Sequence, residues 1–166
     1  MTRTSSRTVV ALCTVAALAA LLTALGSENF LGLVPCALCL VERWPYRIAI
    51  GLGVIGFVLP GRARLAFLWL IVLAMLAAAA LAFVHVGVEQ GYWPSPLPEC
   101  AAPKITGSTI AERLASMPAR PSKPCDDPTY LIPGLSISMA AMNFLFALAF
   151  AALLAIYLLR GADRGR

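Results

Sequence analysis

The run LAFLWLIVLAMLAAAALAFVHVGV, Leu65 to Val88, decides what kind of protein this is. It contains no Asp, Glu, Lys or Arg, and as a helix its roughly 24 residues cross the ~30 Å hydrocarbon core of a bilayer. Arg62-Ala-Arg64 precedes it, and a second apolar run, about Leu38 to Leu59, ends just before that at Pro60-Gly61. So short a link makes the two runs an antiparallel hairpin. Two further runs, about Thr8 to Gly26 and Gly134 to Leu159, complete the pattern. The expected fold is all-α: one polytopic membrane domain over residues 1–166, a four-transmembrane-helix bundle. Its helices lie at about 8–26, 38–59, 65–88 and 134–159, with a long loop at about 89–133 between helices three and four.

Composition agrees. The chain has 166 residues, 60% hydrophobic and 13% charged, with a mean hydropathy of +0.84. A soluble domain carries about twice that share of charge, so the lipid bilayer is the solvent this chain requires. The net charge of +5 does not point to nucleic acid, because the basic residues sit at the ends of apolar runs without interleaved aromatics. Arg3 and Arg7 before the first run raise the possibility of a cleaved signal peptide. The run is longer than the usual signal core and its small-residue pattern near Ala24 and Gly26 is poor, so a retained helix is expected.

The flanks set the orientation. Arg3, Arg7, Arg62, Arg64, Arg160, Arg164 and Arg166 face a single acid, Asp163, on one side. The loop from Glu89 to Pro133 instead balances Lys104, Arg113, Arg120 and Lys123 against five acids. Positive-inside then places both termini in the cytoplasm and the loop outside, where disulfides persist. The loop is proline-rich and expected to be largely irregular. Within it, Thr109-Ile-Ala-Glu112 reads as a capping box, and Ile110, Leu114 and Met117 share a helical face until Pro118. A short amphipathic helix on the membrane surface is expected there.

Five cysteines carry the chemistry. Cys36 and Cys39 form a C-x-x-C, Cys100 and Cys125 lie in the external loop, and Cys13 is alone in an apolar run, where it reads as inert packing. Four cysteines in two groups mean two redox pairs or one metal site. Pro35 suits a first helical turn, which puts Cys36 at a helix N-terminus, where partial positive charge favours a thiolate. Cys36 and Cys39 share one face, and Arg43 lies one turn below Cys39. An Arg so near the bilayer needs a partner or a task, and its planar fork suits a thiolate or a reduced quinone oxygen. Glu42 is a candidate for local pairing or proton movement. Arg47 reads as an interfacial anchor with Trp44 and Tyr46.

A crosslink between Cys100 and Cys125 has two readings. As a staple it contributes about 3 kcal/mol. In a mobile loop it is open to attack by a protein thiolate and exchanges. Sustained thiol oxidation also needs a sink for two electrons and two protons. The sequence has neither a nucleotide-binding glycine fingerprint nor the second His of a bis-His haem, so a quinone held between helices is the expected acceptor.

These residues resemble the bacterial disulfide-bond formation protein B (DsbB) family. Cys36-Ala-Leu-Cys39-Leu-Val-Glu42-Arg43 is similar to its C-x-L-C-x-x-E-R signature. Trp93-Pro-Ser-Pro96 before Cys100, and Ser138-Met-Ala-Ala-Met-Asn143 after Cys125-Asp126, resemble two further family patterns. The segment Tyr130-Leu-Ile-Pro-Gly-Leu matches only loosely.

The resemblance implies a protein-disulfide:quinone oxidoreductase of the bacterial inner membrane that reoxidises a periplasmic, thioredoxin-like DsbA-like dithiol oxidase. The quinone would be ubiquinone or menaquinone. Cys100 would be attacked by the partner and paired with Cys125. Electrons would pass to Cys36–Cys39, with Cys39 making a thiolate–quinone charge-transfer contact and Arg43 assisting. His85 falls where the family places a His implicated at the quinone site, and a hydrogen bond or proton relay is its expected role.

Two alternatives stand beside it. A relative of vitamin K epoxide reductase-like proteins would use another partner, but no tethered thioredoxin-like domain is present in this sequence. A non-catalytic membrane protein would use the cysteines as structural disulfides or a zinc site. Zinc needs four convergent ligands, and cysteines outside the cytoplasm tend to oxidise, so no metal is expected.

Overall fold

The computed structural model describes residues 5–100, 107–116, 123–132 and 134–163. Among them the protein is helical throughout, without strands. In chain order the helices are α1 (Ser6–Phe30), α2 (Ala37–Val58), α3 (Gly61–Glu89), α4 (Ile110–Ala115) and α5 (Met139–Asp163). A 3-10 turn, Pro98–Cys100, lies between α3 and α4.

The boundaries differ from expectation where local chemistry intervenes. α3 begins at Gly61, about a turn earlier than its apolar run, because Pro60 takes the N-cap position with extended ψ and its carbonyl accepts from Arg64 N–H at 2.9 Å. Arg62 and Arg64 therefore lie inside the first turn. Arg64 is buried and folds back onto the end of α2, donating from Nε to Gly56 O at 3.2 Å and from Nη2 to Leu59 O. It thereby satisfies carbonyls that a helix C-terminus leaves open. Its Nη1 donates to Ser6 Oγ at 2.9 Å, tying the start of α1 to the hairpin. α5 begins later than expected, at Met139. Gly134 is held at φ +85°, which no helix continues through, and Ser138 Oγ accepts from Ala141 N–H at 3.2 Å.

α2 packs against both α1 and α3, and α3 packs against α5. Leu68, Ile71, Val72 and Met75 bury one face of α3, and Ala78, Ala79 and Ala82 extend it with small side chains that let helices approach closely. The opposite face carries exposed Trp69, Leu73, Leu76 and Phe83, an apolar exterior suited to lipid rather than water. Among the described residues three helical stretches, Ser6–Phe30, Gly61–Glu89 and Met139–Gly161, are long and apolar enough to cross a membrane. α2 is less apolar because Glu42, Arg43 and Arg47 fall in its first half.

α4 carries the capping box: Thr109 Oγ1 accepts from Glu112 N–H, and Glu112 Oε2 accepts from Thr109 N–H at 3.1 Å. Donors on Ser108, and then Thr109, hold the exposed Glu112 carboxyl below its ordinary range. Ile110 and Leu114 are both exposed, and the third expected member of that face, Met117, lies outside the described residues.

After α3 the chain turns through Gly91, at φ +72°, and lays Trp93 back along the helix. Its Nε1 donates to Val84 O at 3.0 Å, and its ring meets Phe83 at 5.7 Å between centroids. Any Cβ at Gly87 would overlap this ring. Gly87→Ala should therefore destabilise the protein by about 1–3 kcal/mol through overpacking. Gly51→Ala, which meets nothing within 4 Å, should not. Thermal unfolding in detergent compares them; an equal midpoint for Gly87→Ala and wild type would refute this packing.

Candidate functional site

Cys36 is the N-cap of α2. Its Sγ accepts from Cys39 N–H at 3.2 Å, and the two sulfurs are 2.8 Å apart, so the pair needs little motion to close. The Cys39 thiol and its backbone N–H draw the Cys36 thiol below its ordinary range, more strongly than burial raises it.

Cys100 and Cys125 are joined by a disulfide, with Cα atoms 5.0 Å apart. Cys100 ends the 3-10 turn, and Cys125 N–H donates to Cys100 O at 3.4 Å. The Cys125 segment is pinned to the start of α5: Lys123 Nζ donates to Thr129 Oγ1 at 2.6 Å, and Thr129 O accepts from Met139 N–H at 2.8 Å. Ser138 Oγ in turn donates to Glu89 at the end of α3. The disulfide packs in one apolar cluster with Cys36, Leu38 and Val88, and Cys39 borders it. Both pairs thus belong to one apolar cluster. The proline-rich loop led to an expectation of an accessible disulfide, yet Cys100 is 5% and Cys125 1% exposed. The correction has a physical cause, since an apolar disulfide finds cover against α2 and α3.

His85 lies between the first pair and Glu42. Its Nε2 is 3.4 Å from Cys36 Sγ and its Nδ1 is 2.6 Å from Glu42 Oε1. The second Glu42 oxygen, Oε2, accepts from Asn143 Nδ2 at 2.6 Å, and Asn143 Oδ1 accepts from Tyr46 OH. A buried carboxylate needs such partners, and it draws them from α3 and α5.

On the other side of Glu42, a cavity of about 400 Å³ opens between α1, α2 and α5. Cys39, Glu42, Arg43, Tyr46, Asn143 and Phe146 are among its lining residues. Arg43 Nη1 pairs with Glu28 Oε2 at 2.8 Å, while its buried Nε has no hydrogen-bond partner. Arg47 instead stacks over Trp44, with its guanidinium 5.2 Å from the ring centroid, consistent with an anchor.

The structure therefore brings Cys36, Cys39, Cys100, Cys125, His85 and Glu42 together, with Arg43 on the cavity side. His85 is not among the described residues lining the cavity; it touches Cys36 instead. Cys13 packs on the main core, in a different cluster from the two pairs. Glu28 and Asn143 carry no role in the sequence reading, and Tyr46 only that of an interfacial anchor beside Arg47. The usable signal was their polarity among apolar neighbours, which inside a membrane helix marks a candidate function. Cys36, Cys39 and His85 place their donor atoms within 4.8 Å of one another.

A helical protein of membrane-spanning character, with a helix-capped dithiol in one apolar cluster with a second, bonded pair, is of the thiol–disulfide exchange class. The family model for disulfide bond formation protein DsbB matches residues 6–157, and the chain belongs to that family. Membership carries a role in membrane disulfide-bond formation and an oxidoreductase character. No curated protein and no solved structure matches the chain.

Asn143 joins Glu42 to Tyr46, so Asn143→Leu strands a carboxylate oxygen and a phenol in a partly buried site. The variant should lose about 1–3 kcal/mol of stability, read as a lower detergent unfolding midpoint. A midpoint equal to that of wild type would show that this network does not hold α5 to α2.

Proposed function

We propose that the protein is a quinone-dependent membrane thiol oxidase that reoxidises a periplasmic DsbA-like dithiol oxidase. The observation that carries this reading is the gathering of both cysteine pairs in one apolar cluster, with Cys39 also lining a cavity between α1, α2 and α5. Electrons entering at one pair have a sulfur-to-sulfur route to the other, and the last sulfur borders space for an acceptor.

In this reading residues 1–166 form one four-helix domain of the bacterial inner membrane, with α2 as the fourth span. Its charges are compatible with that. Glu42 and Arg43 are buried and partnered inward, and Arg47 is stacked on an aromatic ring. Arginine in the N-terminal flank, the α2–α3 hairpin and the C-terminal flank supports cytoplasmic termini and external cysteines.

A quinone, ubiquinone or menaquinone, supplies a sink for two electrons and two protons when bound. The cavity fits such a group: about 400 Å³ is within the range of small-molecule sites, its walls are mostly apolar, and Arg43 Nε is a free buried donor for a carbonyl oxygen. A second cavity of about 580 Å³, between α1 and α5, shares Ala16 and Phe146 with the first and offers apolar cover for a prenyl tail. Cys39 is the sulfur placed to meet the acceptor, and Arg43 orients it. At the other end, Cys100 accepts the partner's thiolate and Cys125 leaves. Because that disulfide is buried, partner docking must first uncover it.

The test is oxidation of a reduced thioredoxin-like dithiol protein by the purified protein in detergent with added quinone. Catalytic, quinone-dependent oxidation is expected; none would overturn the reading. Cys100→Ala should abolish partner oxidation and leave quinone binding intact. Wild-type turnover by this variant would refute the order of the two pairs.

A further inference from the structure

Closing the Cys36–Cys39 dithiol into a disulfide breaks two S–H bonds, forms one S–S bond and releases an electron pair and two protons. Cys39 lines the cavity, so its proton leaves directly toward an acceptor there. Cys36 has no such exit. It is 4% exposed, packed against Leu38, Val88 and the second disulfide, and is not among the described residues lining the cavity. The base within hydrogen-bond distance of its sulfur is His85 Nε2, at 3.4 Å. With the Glu42 carboxylate at 2.6 Å accepting from Nδ1, the ring presents the Nε2 lone pair to the thiol. Glu42 is the boundary residue. One oxygen meets His85, the other is fixed by Asn143, and Glu42, Asn143 and Tyr46 all line the cavity.

We propose that His85 and Glu42 form a proton relay carrying the Cys36 proton from the buried cysteine cluster to the cavity wall. This deepens the oxidase reading and rests on it. As the disulfide closes, the electron pair passes to the quinone-class acceptor through Cys39. The Cys36 proton moves to His85 Nε2, the Nδ1 proton moves to Glu42 Oε1, and Glu42 releases it at the cavity. On re-reduction the path runs backward. The Cys100/Cys125 dithiol closes and supplies the electron pair; one of its two protons goes to Cys39 and the other to the outside. Cys36 leaves as a thiolate and takes the Nε2 proton, and Nδ1 recovers one from the cavity through Glu42. His85 acts on the reacting sulfur, so it is catalytic, whereas Asn143 is a positioning residue that aims the carboxylate. The charged and titratable groups facing this path are Cys36, Cys39, Arg43 and Tyr46 at the start of α2 and Glu89 at the end of α3. α5 contributes the neutral Asn143, and α1 contributes Glu28 through Arg43.

Glu42→Gln and His85→Gln test the relay from two helices, so misfolding of one leaves the other decisive. In the first arm, fully reduced protein is mixed with excess quinone in H₂O and in D₂O, and disulfide closure is timed in a single turnover. Both variants should close about 100-fold more slowly, and only wild type should show a large solvent isotope effect. In the second arm, reduced protein without quinone is alkylated across pH and the label on Cys36 is quantified by mass spectrometry. Both variants should need a higher pH for the same alkylation rate, which a merely structural role would not produce. Wild-type closure rates with an unchanged Cys36 pH profile would overturn the relay. The alkylation arm needs no quinone. If wild type fails to close with quinone, the oxidase reading falls, while the pH profile still decides whether His85 and Glu42 hold the Cys36 proton.

Discussion

Thiol–disulfide exchange happens only when sulfurs come into contact, and the rest of this structure serves that constraint. The Cys100–Cys125 disulfide does not sit on a free loop. It is pressed into the same apolar cluster as Cys36, with Leu38 and Val88 completing the packing. Three anchorages hold it there. The 3-10 turn rests against α2, Thr129 bonds the α5 backbone, and Ser138 bonds Glu89. Two of them, the turn against α2 and Ser138 on Glu89, join chain segments distant in sequence, so the cluster is a product of the bundle.

The same bundle carries buried charge, which is costly unless partnered. Glu42 resolves this with His85 from α3 and Asn143 from α5, and Arg43 resolves it with Glu28 from α1. One turn of α2 therefore engages all three other long helices through polar contacts. The arrangement separates two environments, with a cluster holding Cys36 on one side and a cavity bordered by Cys39 on the other. Adjacent cysteines are thereby suited to different partners, one a sulfur and the other a membrane-soluble acceptor.

Much of this was readable before any coordinates, and the residues show why. An apolar run such as Leu65 to Val88 declares a membrane helix by composition alone. The C-x-x-C after Pro35 declares a helix-capped dithiol through local spacing. What was not readable depends on long-range pairing. Asn143 reaches Glu42 across 101 positions, and Glu28 reaches Arg43 across 15, with no local pattern to announce either. Proline content argued for an exposed disulfide, because composition registers a loop's irregular backbone but not the surface it folds onto. The starts of α3 and α5 moved for local reasons, at Pro60 and Gly134, that apolar runs do not record.

The account stands on proximity between the two pairs, and crosslinking measures that most directly. Two variants, each keeping Cys36 and only one of Cys100 and Cys125, with Cys39 and the remaining partner changed to Ser, would be oxidised gently and mapped by non-reducing mass spectrometry. At least one should form the inter-pair disulfide rapidly and nearly completely within a single chain. If neither crosslinks while both remain folded, the pairs do not meet, and the electron route argued from their contact is wrong.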